Sequence, residues 1–144
     1  MQQVVKNVKI IGTGSYVPAT IYTNKYLETL VPTNDEWIQN NLGIKERHIA
    51  NDDEFTSDLA SQAGIRAVED AGLTIEDIDL IIVATATPDR KAPSTASIVQ
   101  FKMQANNAAA FDVSAVCSGF LFAMSIGSQY IASGVYKNVL VIGA

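Results

Sequence analysis

The chain has 144 residues, 48% of them hydrophobic and 17% charged, which is enough apolar material for one ordinary domain with a sizeable core and excludes a disordered chain. Its formal net charge of -5 argues against non-specific nucleic-acid binding through a basic surface. A single cysteine excludes an internal disulfide and a CxxC metal site and suits a reducing compartment. With no secretory h-region and no run near the ~20 apolar residues of a membrane span, the expectation is a cytoplasmic, metal-free protein.

Taken in order, Val4 to Ile11 (VVKNVKII) is β-branched and is broken by Gly12-Thr-Gly-Ser15, which predicts a strand and a turn. The G-x-G invites a dinucleotide-binding reading. That reading is weak, because Ser-Tyr-Val-Pro follows where a third glycine must open a helix. Thr23 and Asn24 predict the cap of a short helix through about Leu30, ended by Val31-Pro32. Thr33-Asn34-Asp35-Glu36 then supplies caps and first-turn carboxylates for a second helix carrying Trp37 and Ile38, with Gly43 as its stop. Trp37 is the only tryptophan, and residue type alone allows a core plug or a ligand-stacking ring. The segment Ile44 to Ala50 is mixed and charged. Its His48, beside Glu46 and Arg47, reads as a solvated or hydrogen-bonded surface group rather than a metal ligand.

Thr56-Ser57-Asp58 opens a longer helix with Leu59, Ala63, Ile65, Ala67 and Val68 on its apolar stripe and Gly72 after its end. Ile78 to Thr87 has an apolar centre that fits a strand buried on both faces. Pro93 to about Gln104 predicts a helix with Ile98, Val99, Phe101 and Met103 turned inward over parts of its face. Asn106-Asn107 leads into a strand from Ala108 that runs out through Asp112 and Ser114 to Cys117. From Cys117 to Ser133 nearly every residue is apolar or small, which predicts a buried helix. A thiol at such a strand-to-helix junction lies near unsatisfied N–H groups and the positive dipole end, which favours the nucleophilic thiolate. The alternative is a small buried hydrophobe. Val139 to Ala144 reads as a further buried strand with no exit turn, so the chain is expected to be the front part of a longer protein. Alternating strands and helices imply an α/β fold, mainly parallel, with helices on both faces of the sheet.

Five segments in register resemble the N-terminal half of a β-ketoacyl-acyl-carrier-protein synthase III, of the thiolase superfamily. They are IIGTGSYVP from Ile10, TNDEWI from Thr33, GIKERHIA from Gly43, DLIIVATATPD ending at Asp89 and AFDVSAVCSGF from Ala110. The resemblance implies a five-stranded, mainly parallel sheet over residues 1–144 as the N-terminal thiolase-like half of a condensing enzyme. It implies Cys117 as the acyl-accepting nucleophile, Trp37 as the ring that stacks on the adenine of coenzyme A, and Thr33 at a coenzyme-contacting position. The implied reaction is a decarboxylating condensation of acyl-coenzyme A with malonyl-acyl-carrier protein, initiating fatty acid synthesis in a cytoplasmic homodimer. Coenzyme A enters as substrate, with no resident cofactor. The family's decarboxylating histidine and asparagine belong to the second half, outside this sequence.

Four positions depart from the family pattern. Asn41 stands where an arginine often flanks the adenine. Ala92 replaces a large side chain that reaches the partner subunit's acyl pocket, which implies room for primers longer than acetyl. Val116 and Ser118 flank the cysteine where alanines are common. These departures keep open a specialised synthase III-like acyltransferase of secondary metabolism. A coenzyme A-only condensing enzyme and a non-catalytic partner subunit are the other readings, the last opposed by the presence of Cys117.

Overall fold

The computed structural model describes residues 7–144. They divide into two compact units. One is Val17–Glu54; the other joins Phe55–Ala144 to the segment that ends at Tyr16.

The larger unit is built on three parallel strands in the order β4-β3-β5, with β3 at Leu80–Ala84, β4 at Ala109–Val113 and β5 at Val139–Gly143. All five residues of β3 are buried, because the strand is central and helices cover both of its faces. Its side chains alternate. Ile81 and Val83 join Val99, Met103, Leu140 and Ile142 under the helices α3 (Thr56–Asp70) and α4 (Thr95–Met103). Leu80, Ile82 and Ala84 point the other way and meet Ala123 of α5 (Gly119–Ala132). Period-two alternation in a strand thus separates two apolar clusters from one continuous apolar run.

Polar groups register these layers. The Asp112 carboxylate of β4 accepts the Thr95 and Ala96 N–H groups at 2.8 and 2.7 Å, satisfying the open first turn of α4. Asp79 accepts the Lys137 and Asn138 N–H groups at 2.8 and 2.9 Å, tying the entrance of β3 to that of β5. Between α3 and α4, Lys102 Nζ meets Asp58 at 2.5 Å and donates to Ser57 Oγ at 2.8 Å. That ammonium holds the Asp58 carboxyl below its ordinary value of 3.8.

The smaller unit pairs β1 (Thr20–Thr23) with β2 (Glu46–Ile49) as an antiparallel ribbon and adds the helices α1 (Asn24–Leu27) and α2 (Asp35–Leu42). Thr23 and Asn34 cap these helices with their side-chain oxygens, and Gly43 closes α2 in the left-handed conformation at φ 70°.

Three expectations are corrected. The five strands form a three-stranded parallel sheet and a separate two-stranded ribbon instead of one sheet. The ribbon was hidden because β2 is ERHI, with no apolar alternation. Secondly, the strand expected over Val4–Ile11 falls partly on residues outside those described, and Asn7–Ile11 has no strand pairing. The segment is instead fastened to α3. A Cβ at Gly12 or Gly14 would run into the Ala67 or Ala63 carbonyl, so the G-x-G serves a close approach of backbone to helix. Thr13 N–H donates to Asp70 at 2.8 Å, and Arg66 donates to the Ser15 carbonyl at 2.7 Å. A cavity of about 820 Å³ separates Val8–Gly14 from β5. Lastly, Phe101 is 82% exposed, because α4 turns Val99 and Met103 toward the sheet and Phe101 away from it.

Candidate active site

Cys117 lies where the chain leaves the carboxyl end of β4 and enters α5, in a single 3-10 turn over Val116–Ser118. Its side chain is exposed. The turn is placed by backbone hydrogen bonds from Ser118 N–H to the Ala115 carbonyl at 3.2 Å and from Gly119 N–H to the Val116 carbonyl. Val116 has φ 46°, a left-handed conformation that costs a β-branched residue of the order of 1–2 kcal/mol. No sequence signal marked that strain. It sits on the residue immediately before the sulfur, where the chain reverses from strand into helix.

The helix behind the thiol is brought close to the sheet by small residues. Gly119, Ala123 and Gly127, four apart, are its buried residues. A Cβ at Gly119 would stand 3.3 Å from Ala84 Cβ, and one at Gly127 would stand 3.1 Å from Val139 Cγ1. The expectation of a helix buried all round is therefore corrected: Phe120, Leu121 and Phe122 are 45%, 72% and 56% exposed. One stripe of α5 packs on the sheet, Leu121 and Phe122 turn largely to the outside, and Phe120 lies half-exposed against Gly143 at the end of β5. Ser118 makes no side-chain cap, so no cap from that residue competes for the N–H groups of the first turn beside the sulfur. An exposed thiol at a helix start has the parts of an acyl-accepting nucleophile with backbone stabilisation of an oxyanion. Ala92 belongs to the same unit, exposed on the loop before α4 and followed by Pro93 in a cis peptide.

Trp37 and Thr33 belong to the smaller unit. The indole stands one turn into α2 and is 55% exposed, so it does not plug a core. Trp37 N–H donates to Asn34 Oδ1 at 2.7 Å, and the Trp37 carbonyl accepts Asn41 Nδ2 at 2.8 Å. Thr33 is half-buried on the approach to that cap. His48 Nδ1–H donates to the Pro18 carbonyl at 2.6 Å, a structural use of the ring.

Of the two capping candidates in the sequence, Thr23 makes the cap, and Asn24 is 1% exposed with its amide fully engaged. Its Nδ2 donates to Asp35 Oδ1 and to the Ile44 carbonyl, both at 2.7 Å, and its Oδ1 accepts Arg47 Nη2 at 2.9 Å. Donation from Asn24, then from Gln39, holds the Asp35 carboxyl below its ordinary value of 3.8. Among the described residues no group of three or more His, Cys, Asp or Glu side chains is arranged to hold a metal ion, and no helix is long and apolar enough to cross a membrane.

This architecture superimposes on the crystal structure of 3-oxoacyl-acyl-carrier-protein synthase III from Aquifex aeolicus with a TM-score of 0.92 and 51% identity, covering 96% of this chain and 44% of that one. The fold is therefore of the thiolase-like α/β class. A family profile described as 3-oxoacyl-acyl-carrier-protein synthase III matches residues 111–144, the stretch that contains Cys117. Curated β-ketoacyl-acyl-carrier-protein synthase III proteins are similar at 58% identity in Caldanaerobacter subterraneus subsp. tengcongensis and 57% in Thiobacillus denitrificans, each over 94% of this chain. The chain belongs to the β-ketoacyl-acyl-carrier-protein synthase III family. It spans 41% and 43% of the length of those two relatives.

Proposed function

We propose that this chain is the N-terminal thiolase-like half of a synthase III-type condensing enzyme and carries its acyl-accepting thiol. The single observation that supports this most is the exposed Cys117 at the start of α5, inside the stretch that the family profile matches. The Cys117 thiolate attacks the thioester carbonyl of acyl-coenzyme A, a sulfur–carbon bond forms, and coenzyme A leaves as its thiolate and takes up a proton. The Cys117 backbone N–H and the first turn of α5 are the candidate donors to the oxyanion. The acyl-enzyme, still a thioester, stays activated for the second step. There, malonyl-acyl-carrier protein loses CO₂, the resulting carbanion attacks the acyl carbonyl, and Cys117 is released as thiolate.

In this reading Trp37 and Thr33 contact the coenzyme. Ala92 leaves room for an acyl chain longer than acetyl, and the working form is a cytoplasmic homodimer initiating fatty acid synthesis. Cys117 disfavours a non-catalytic partner subunit. Identities of 58% and 57% to curated β-ketoacyl-acyl-carrier-protein synthase III proteins favour this role over a specialised acyltransferase.

The test is mass spectrometry of the chain after incubation with acetyl-, butyryl- and hexanoyl-coenzyme A. An acyl adduct on Cys117 that is lost in Cys117→Ser is expected, and no adduct with any thioester overturns the proposal. In a complete enzyme, acylation of Cys117 confined to acetyl would remove the role given to Ala92. The family's decarboxylating histidine and asparagine lie outside this sequence, so the chain alone is expected to stop at the acyl-enzyme; steady β-ketoacyl product from it would refute that division of labour.

A further inference from the structure

The eight residues of α2 are too few to hold a fixed orientation by helix propensity, since isolated helices below about 12–15 residues are marginal in water. Their packing offers little more, because Ile38 is the only buried residue of the helix. Both ends of α2 are nonetheless fastened, and to the same side chain. The buried amide of Asn24 donates to Asp35, the first residue of α2, and to the carbonyl of Ile44, which follows its closing glycine. Its oxygen is held by Arg47, whose Nη1 also donates to the Tyr22 carbonyl, so the clasp is referred to the β1–β2 ribbon. Two further bonds converge on the same carboxylate residue. Glu28 Oε1 accepts Asp35 N–H at 2.9 Å, and Gln39 Nε2 donates to Asp35 Oδ2 at 2.7 Å.

We infer that Asn24 is a positioning residue for coenzyme recognition: its amide clasps both ends of α2 and thereby sets the direction in which the Trp37 indole is presented. This inference rests on the reading that Trp37 contacts the coenzyme. Buried amides with every donor and acceptor used are costly to break and specify one arrangement. A 55% exposed indole has few packing contacts to fix its helix, so the polar clasp does that work.

Trp37 is the sole tryptophan, so its fluorescence reports α2 alone. In the full chain without ligand, Asn24→Ala is expected to lower indole anisotropy and to raise acrylamide quenching about twofold, with far-UV circular dichroism retained. Asp35→Ala opens the clasp from its more accessible side and is expected to act the same way, which keeps the test informative if Asn24→Ala does not fold. Unchanged anisotropy and quenching in the variants that fold overturns the inference. With coenzyme A as the probe, Asn24→Ala is expected to raise Kd about five- to tenfold in the presence of Trp37 and to add nothing on a Trp37→Ala background. Equal losses on both backgrounds show that Asn24 does not act through the indole, and also overturn the inference. Coenzyme A affinity unchanged in Trp37→Ala overturns the indole's role in recognition, while the ligand-free anisotropy still reports whether the clasp exists.

Discussion

The two units hold their functional side chains by different physics. Around Cys117, a fully buried strand and a stripe of small residues bring α5 onto the sheet, so position follows from close packing. Around Trp37 there is scarcely a core: within Val17–Glu54 the buried residues are Pro18, Asn24 and Ile38, and hydrogen bonds among Asn24, Asp35, Arg47 and Gln39 supply the order. A packed site tolerates loss of one polar contact and resists change of volume. A hydrogen-bonded site is indifferent to small volume changes, but one lost amide leaves several groups unpaired.

The largest expected effect separates chemistry from scaffold. Cys117→Ala is expected to abolish acyl transfer, by about a thousandfold or more, while shifting stability by no more than about 0.5 kcal/mol because the side chain is exposed. Adduct formation and urea unfolding measured side by side check both halves. Next, Gly127→Val adds volume 3.1 Å from Val139 Cγ1 and is expected to cost about 2–3 kcal/mol in urea unfolding. A change below about 0.5 kcal/mol would show that α5 is not packing-limited. In the other unit Asn24→Ala strands the Ile44 carbonyl and Arg47, with an expected cost of about 1–2 kcal/mol, read as faster amide exchange in α2 with β3 unaffected.

A smaller effect has the opposite sign. Val116→Gly removes a β-branched side chain from φ 46° and is expected to raise stability by up to about 1 kcal/mol, the relief of strain exceeding the entropy cost of glycine. The smallest is acid dependence. Asp58 and Asp35 both titrate below 3.8 in the folded chain, so the unfolded chain takes up protons first as pH falls. Their contribution is complete above 3.8 and is lost as pH drops through the depressed folded values. Asp58→Asn should therefore lower the thermal midpoint slightly near neutral pH and flatten its acid limb, the difference from the parent chain closing as pH falls through the depressed value.

Much of this was legible in the residues. Asn34 and Gly43 mark the ends of α2, and the apolar centre of Ile78–Thr87 marks a central strand, because caps and hydrophobic runs are local signals. The cysteine's place between strand and helix was readable for the same reason. Asn24 was misassigned, since Thr-Asn before a helix looks alike whichever residue caps, and only the fold brings Asp35, 11 residues on, within reach of its amide. The ERHI strand and the unpaired Val8–Gly14 segment were missed because a strand depends on a partner, and pairing is a long-range property.

The amino-acid order by itself marked the ends of α2, which strand is central and which thiol is available, since each depends on neighbours within a few residues. The tertiary structure alone decided that Phe101, Leu121 and Phe122 face outward, that Val116 is left-handed, and that one buried amide ties both ends of α2. These depend on which surfaces meet, and the hydrophobic effect that drives burial has no direction of its own.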